Sequence, residues 1–234
     1  MDVIELLPRL HLLRFPVGQA YLWRDDDALT LIDAGTTGAS RAIADLVRGM
    51  GYVPGDVGRI VLTHFHEDHV GGAGEFAALS GAEVLAHELD TPFIRGELPG
   101  PPPRFEEWEL PVHAAAARHL PAGTPVPPAA VTTVSDGDVL DFGGGARVVH
   151  VPGHTDGSIA LFLPAQSVLF TGDTVAASPV DGTVIPGVFN LDGAQLRASL
   201  DRLAELDADV ACFGHGDAVV GGAAAALRKA ASTR

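Results

Sequence analysis

An α/β fold with helices covering the sheets is what this sequence predicts, and three features carry the prediction. Short apolar runs alternate with turn residues through the first third, a segment of helical period follows, and strand, helix and strand come next in succession. The 28 glycines and 17 prolines in 234 residues favour many turns and short elements over long helices, while 47% hydrophobic residues supply ample core material. A chain of this length reads as one domain, residues 1–234, because sandwich architectures fill it as a single unit.

The opening apolar runs are residues 3–7, 10–15, 20–23 and 28–32, the last two separated by Arg24, Asp25, Asp26 and Asp27. That spacing predicts a meander of strands joined by tight turns. Ile43, Leu46, Val47 and Met50 then recur at helical period within 37–50. A short buried strand over 59–62, a helix over 71–80, a strand over 83–86 and a helical turn over 87–95 follow.

The character changes at about 97–130, where nine of the 17 prolines fall between Pro99 and Pro128. Neither a helix nor a central strand fits Pro99-Gly-Pro-Pro-Pro103. The insert is either a disordered surface segment or an ordered lid or interface held by Phe105, Trp108 and Leu110, and the aromatics favour the second. Strands resume at 131–134, 139–142, 146–151, 158–163 and 167–170. A helix over 193–206 carries Leu196, Leu200 and Leu203 on one face, and a strand over 210–213 and a helix over 221–231 close the chain. The second half thus echoes the first, as an internal structural duplication would, without a repeat at the level of sequence.

The most informative run is Thr63-His-Phe-His-Glu-Asp-His69, which crowds His64, His66, Asp68 and His69 into six residues at the end of a strand. Such groups desolvate and repel one another in a core, and their usual purpose together is to hold a cation. His154, Asp173 and His215 stand in later loops that also follow strands, each beside a glycine that permits a sharp turn. Seven nitrogen and oxygen donors exceed the needs of one tetrahedral ion and suit two.

The run from His64 to His69, followed in order by His154, Asp173 and His215, resembles the metallo-β-lactamase superfamily, and closely its glyoxalase II-like hydrolase branch. Asp33 in Leu31-Ile-Asp-Ala-Gly35 and the pair Gly71-Gly72 match the same pattern. The resemblance spans nearly the whole chain outside the proline-rich insert. It implies a four-layer αββα sandwich, two mixed sheets face to face with helices outside. It also implies that His64, His66 and His154 bind one ion, that Asp68, His69 and His215 bind the other, and that Asp173 bridges them. The implied cofactors are two divalent ions, zinc first, with iron or manganese as alternatives in the absence of a thiolate ligand. A metal-bridging hydroxide would then cleave a small ester, thioester or lactone, with Asp68 and Asp173 as the catalytic carboxylates.

Departures from known branches narrow this reading. Lactamases with an Asp-Cys-His second site need a thiolate, and Cys212 lies on a strand before His215; other dinuclear lactamases lack the bridging aspartate that Asp173 supplies. Glyoxalase II proper adds a basic C-terminal extension for glutathione, whereas only Arg228, Lys229 and Arg234 follow His215 here. Quorum-signal lactonases place a tyrosine near the metals, and neither Tyr21 nor Tyr52 lies in the 174–191 loop. Rival readings on the same scaffold are a mononuclear iron persulfide dioxygenase, a phosphodiesterase or nuclease, and a non-enzymatic sensor.

Asp33, Thr63, Thr155, His150 and His87 are candidates for orienting the ligands, since a metal-bound imidazole commonly hydrogen-bonds through its other nitrogen. His11, His113 and His119 read as solvated or capping residues. A formal charge of −15 disfavours nucleic acid, leaving a small molecule as the expected partner. A single cysteine allows no internal disulfide, no basic and apolar leader is visible, and no window is apolar enough to span a membrane, so a cytoplasmic location is expected. The alternative role for the insert is to cover a second copy of the chain in a homo-oligomer.

Overall fold

In the computed structural model, which describes residues 1–233, the chain forms two compact units. Met1–Gly100 and Ala115–Thr133 make the first, and Pro101–Ala114 with Val134–Arg234 the second.

The first unit is built on a seven-stranded sheet whose strands lie in sequence order. β1 (Asp2–Leu7), β2 (Leu10–Arg14), β3 (Gln19–Arg24) and β4 (Leu29–Ile32) form an antiparallel meander. The turn residues between these short runs leave no length for a crossover, which is why consecutive strands pair directly. α1 (Ala39–Gly49) then carries the chain back, so β5 (Val57–Val61) joins β4 in parallel. α2 (Glu67–Val70) and α3 (Ala73–Ser80) provide the next crossover, to β6 (Glu83–His87), again parallel. α4 (Thr91–Ile94) follows, and β7 (Thr132–Val134) completes the sheet beside β6. Ile43 and Val47 of α1 and Phe76 of α3 share a buried core with Leu22, Leu31 and Ile60 of the strands.

The second unit takes in the start of α5 (Glu109–Ala117), a helix inside the proline-rich insert. Pro111 is its third residue, where a missing N–H costs no intrahelical hydrogen bond, and Ala114–Ala117 are strong helix formers. Its main sheet has six strands in the order β15-β14-β11-β10-β9-β8. These are β8 (Val139–Leu140), β9 (Ala146–His150), β10 (Ile159–Leu163), β11 (Val168–Phe170), β14 (Val210–Cys212) and β15 (Val219–Val220). β8 to β11 are antiparallel, and β11 meets β14 in parallel after the crossover through α6 (Gly193–Ala204). Asp192 caps α6 by accepting hydrogen bonds from the amides of Ala194 and Gln195. Leu196, Leu200 and Leu203 are buried as their spacing predicts, and α7 (Ala223–Ser232) adds Leu227 to the same core as Leu200 and Leu203.

Besides α5, three strands go beyond the sequence expectation. β12 (Val175–Ala177) and β13 (Val184–Pro186) form a separate two-stranded ribbon within the 174–191 segment, and β15 adds an edge. Each is too short to show a period. Among the described residues no helix is long and apolar enough to cross a membrane.

Candidate metal centre

In the first unit the donors are arranged by the end of β5. Thr63 follows that strand and is buried, and Asp33, just after the neighbouring β4, reaches across to it. Asp33 Oδ1 accepts from the Thr63 amide at 2.8 Å, and Oδ2 accepts from the Thr63 hydroxyl at 2.8 Å. The same Oδ2 meets His69 Nδ1 at 2.8 Å. Asp33 holds φ 57°, a left-handed conformation that short polar side chains tolerate better than most, so the chain turns there to aim the carboxylate inward.

This network fixes the imidazoles. The Thr63 hydroxyl gives its hydrogen to Asp33, so toward His64 Nδ1, 3.0 Å away, it acts as acceptor. His64 therefore carries its proton on Nδ1, as His69 does against Asp33, and both keep the Nε2 lone pair for another partner. The His64 and His69 rings stand 4.1 Å apart, and His66, at the N-terminus of α2, packs edge-on to His64 at 4.8 Å. Asp68 Oδ2 lies 3.6 Å from His69 Nε2. Ligand atoms of His64 and His66, and of Asp68 and His69, fall within 4.8 Å of each other. Burial, and next the Asp68 charge, push the adjacent Glu67 carboxyl above its usual range.

Gly71 and Gly72 permit this packing. A side chain on Gly71 would collide with the Thr37 amide nitrogen, and one on Gly72 would lie 2.5 Å from the Ala34 carbonyl oxygen. Sequence reasoning did not single out Asp90, whose fully buried carboxylate accepts from the Phe65 amide at 3.0 Å, between two of the histidines. His87 is buried, with Nδ1 accepting from the Leu89 amide at 3.3 Å.

In the second unit Asp173 follows β11 and stands between two histidines. Its Oδ2 is 3.6 Å from His154 Nε2 and 3.1 Å from His215 Nε2. His154 is buried, whereas the His215 side chain is 39% exposed, leaving one side of this group open to water. Asn190 Oδ1 sits 3.2 Å from His154 Nδ1, while Asn190 Nδ2 donates to the Gly187 carbonyl at 2.8 Å. That second bond sets the amide's orientation, so His154 also carries its proton on Nδ1 and has its lone pair on Nε2. Gly187 is required at its position, because a side chain there would overlap the Asp173 carbonyl oxygen.

Thr155 lies beside His154, and its amide and hydroxyl meet the Ser158 hydroxyl at 3.0 and 2.8 Å. His150 Nε2 is 2.8 Å from the Asp156 carbonyl. Asn190 and Glu109 have no sequence signal, since neither sits in a motif and both act only once the 187–192 segment has folded against them. Glu109 is buried, accepting from the Glu106 amide at 2.8 Å and from the Phe189 amide at 2.9 Å. His113 is exposed, as expected, and its ring also packs 4.7 Å from Phe105 and 5.2 Å from Phe189. His11 differs from its expectation, being partly buried on β2, and desolvation, opposed by Glu5, lowers its pKa. Of the basic residues after His215, Arg234 lies outside the described residues. A cavity of about 820 Å³ opens between 104–109 and 185–197, lined by Trp108, Val188 and Leu196 with Arg104 and Arg197.

Imidazole nitrogens held in one tautomer, together with carboxylate oxygens, form a donor set suited to zinc, iron or manganese. Cys212 adds no thiolate: it is buried, and burial holds its thiol well above the usual value.

A sequence profile described as the metallo-β-lactamase superfamily matches residues 13–215. The probable metallo-hydrolase YqjP of Bacillus subtilis is 26% identical over 88% of this chain and 69% of its own length. The hydroxyacylglutathione hydrolase of Methylococcus capsulatus is 29% identical over 87% of this chain and 65% of its own. Among solved structures, a metallo-β-lactamase family protein of Thermus thermophilus superposes with a TM-score of 0.70 at 29% identity, covering 97% of this chain and 78% of that one. The metallo-β-lactamase SMB-1, at 24% identity and a TM-score of 0.74 over 100% and 96% of the two chains, shares the fold.

Proposed function

The chain belongs to the metallo-β-lactamase superfamily, and from that premise we propose that it is a dinuclear metal-dependent hydrolase of a small ester, thioester or lactone. His64, His66 and His154 would hold one ion, Asp68, His69 and His215 the other, with Asp173 shared. The observation that carries this reading is the engagement of Nδ1 in His64, His69 and His154 by Thr63, Asp33 and Asn190, which orients the three rings, with Nε2 of His69 toward Asp68 and Nε2 of His154 toward Asp173. Divalent ions, when bound, lower the pKa of water and polarise a carbonyl, so no serine or cysteine nucleophile is needed.

The protein's own groups do the rest. Asp33 and Thr63 orient two imidazoles, and Asn190 does so for a third. Asp68, partly open to solvent, is the carboxylate suited to orient water and return a proton to the leaving group. Asp173 ties His154 to His215. The cavity beside Asn190 suits the non-reacting part of the substrate. Low-identity relationship to a hydroxyacylglutathione hydrolase supports thioesters within the panel, and the cytoplasm as the place of action rests on the single buried cysteine.

The test is turnover of aryl ester, thioester and lactone substrates by protein loaded in turn with zinc, iron or manganese. Hydrolysis that chelation removes and metal restores is expected. Failure with every metal form would overturn the proposal, and oxygen consumption with a persulfide by a one-iron form would replace it with the dioxygenase.

A further inference from the structure

We infer that Glu109, in the proline-rich insert, is a positioning residue for the ligand His154, so that the insert sets the metal affinity of this half of the site. The inference rests on the assignment of His154 as a ligand. All the contacts lie within the second unit. Glu109 is a buried carboxylate with each oxygen engaged by a backbone amide, one from Glu106 in its own segment and one from Phe189. A carboxylate buried in this way is costly unless its partners are held in place, so the two amides and the carboxylate fix one another.

Phe189 is where this matters. It holds φ 60°, a left-handed conformation that is strained for a residue with a bulky side chain and persists only if its surroundings enforce it. Those surroundings are Glu109 at its amide and the rings of His113 and Phe105 at 5.2 and 5.9 Å. The next residue is Asn190, whose carbonyl accepts from the Arg104 amide at 2.9 Å and whose side chain meets His154 Nδ1. Leu191 and Asp192 then pair through their amides with the carbonyls of His154 and Gly153, at 3.2 and 2.9 Å. The insert therefore grips the chain immediately before the amide that orients His154. Without that grip Phe189 relaxes out of the left-handed region and Asn190 loses its aim.

The experiment measures zinc affinity of the full chain by competition with a chromophoric chelator, for His154→Ala, Asn190→Ala, Glu109→Gln, and the double variant Glu109→Gln/Asn190→Ala. Glu107→Gln, an exposed neighbour, is the control. Loss of a residue that orients a ligand lowers metal affinity by about 10–100-fold, so Asn190→Ala is expected in that range and Glu109→Gln at about tenfold. Glu107→Gln should match the wild type. Because both residues act along one path, the double variant should lose no more than Asn190→Ala alone. Unchanged affinity in Glu109→Gln, or losses that add, would overturn the inference while leaving His154 a ligand. Unchanged affinity in His154→Ala would instead remove the ligand assignment beneath it. Should Glu109→Gln not fold, Arg104→Pro removes the insert's other contact with Asn190, and its affinity decides by the same criterion.

Discussion

Asp33 carries more of the candidate site than any residue that would touch a metal. Its two oxygens serve the Thr63 amide, the Thr63 hydroxyl and His69, and through Thr63 it also sets the tautomer of His64. Asp33→Ala leaves those buried groups without their acceptor and should cost about 3 kcal/mol of stability, read as a lower urea midpoint, together with a loss of bound metal. Asp33→Asn should restore much of the stability but not the metal, because an amide offers one oxygen and cannot balance an imidazole's charge. Asp33 was legible because it stands in a recognisable run after a strand. Asn190, with an equivalent role toward His154, was not, since its meaning depends on Gly187 and Phe189 bringing an unremarkable loop to the right place. Gly187→Ala tests that closure. Its added methyl would overlap the Asp173 backbone, and an overpacking cost of about 1–3 kcal/mol with reduced metal content is expected from calorimetry and elemental analysis.

Elements with a strong period were readable: the meander of β1 to β4, α1, and α6 with its buried leucines all lie where apolar spacing puts them. The proline count hid α5, because prolines that forbid a helix interior are harmless in its first turn, and β12, β13 and β15 are too short to display alternation. Contacts between elements are similarly hidden. Arg202 of α6 donates to both oxygens of Asp136 at 2.8 and 2.9 Å and to the carbonyl of His150 on β9, tying helix to sheet. The Arg202 hydrogen bond, opposed by burial, holds the Asp136 carboxyl below its usual value. A lowered folded value means that this contribution is present above the unfolded pKa and disappears as pH falls through the folded one. Arg202→Met should therefore lower the urea midpoint at pH 7, and its difference from the wild type should shrink in strong acid. A constant difference would place the effect in packing.

At the scale of the whole molecule, each unit carries both histidine and aspartate donors: His64, His66, Asp68 and His69 in the first unit, and His154, Asp173 and His215 in the second. His64 and His69 in the first unit and His154 in the second are each oriented by a hydroxyl, carboxylate or amide of the same unit. The fold was legible because four ligand blocks in fixed order are rare. The substrate was not, because the shapes of the insert and of 185–197 come from tertiary contacts such as Glu109 with Phe189. The chain's −15 charge also favours retention of divalent cations over polyanionic partners. The most direct test of a dinuclear centre is metal per chain, measured by elemental analysis on metal-saturated wild type and Asp173→Ala. Two divalent ions are expected in the wild type and fewer in the variant, whose hydrolysis is lost while its fold persists; a single ion in the wild type, or content and activity untouched by Asp173→Ala, would contradict a dinuclear centre.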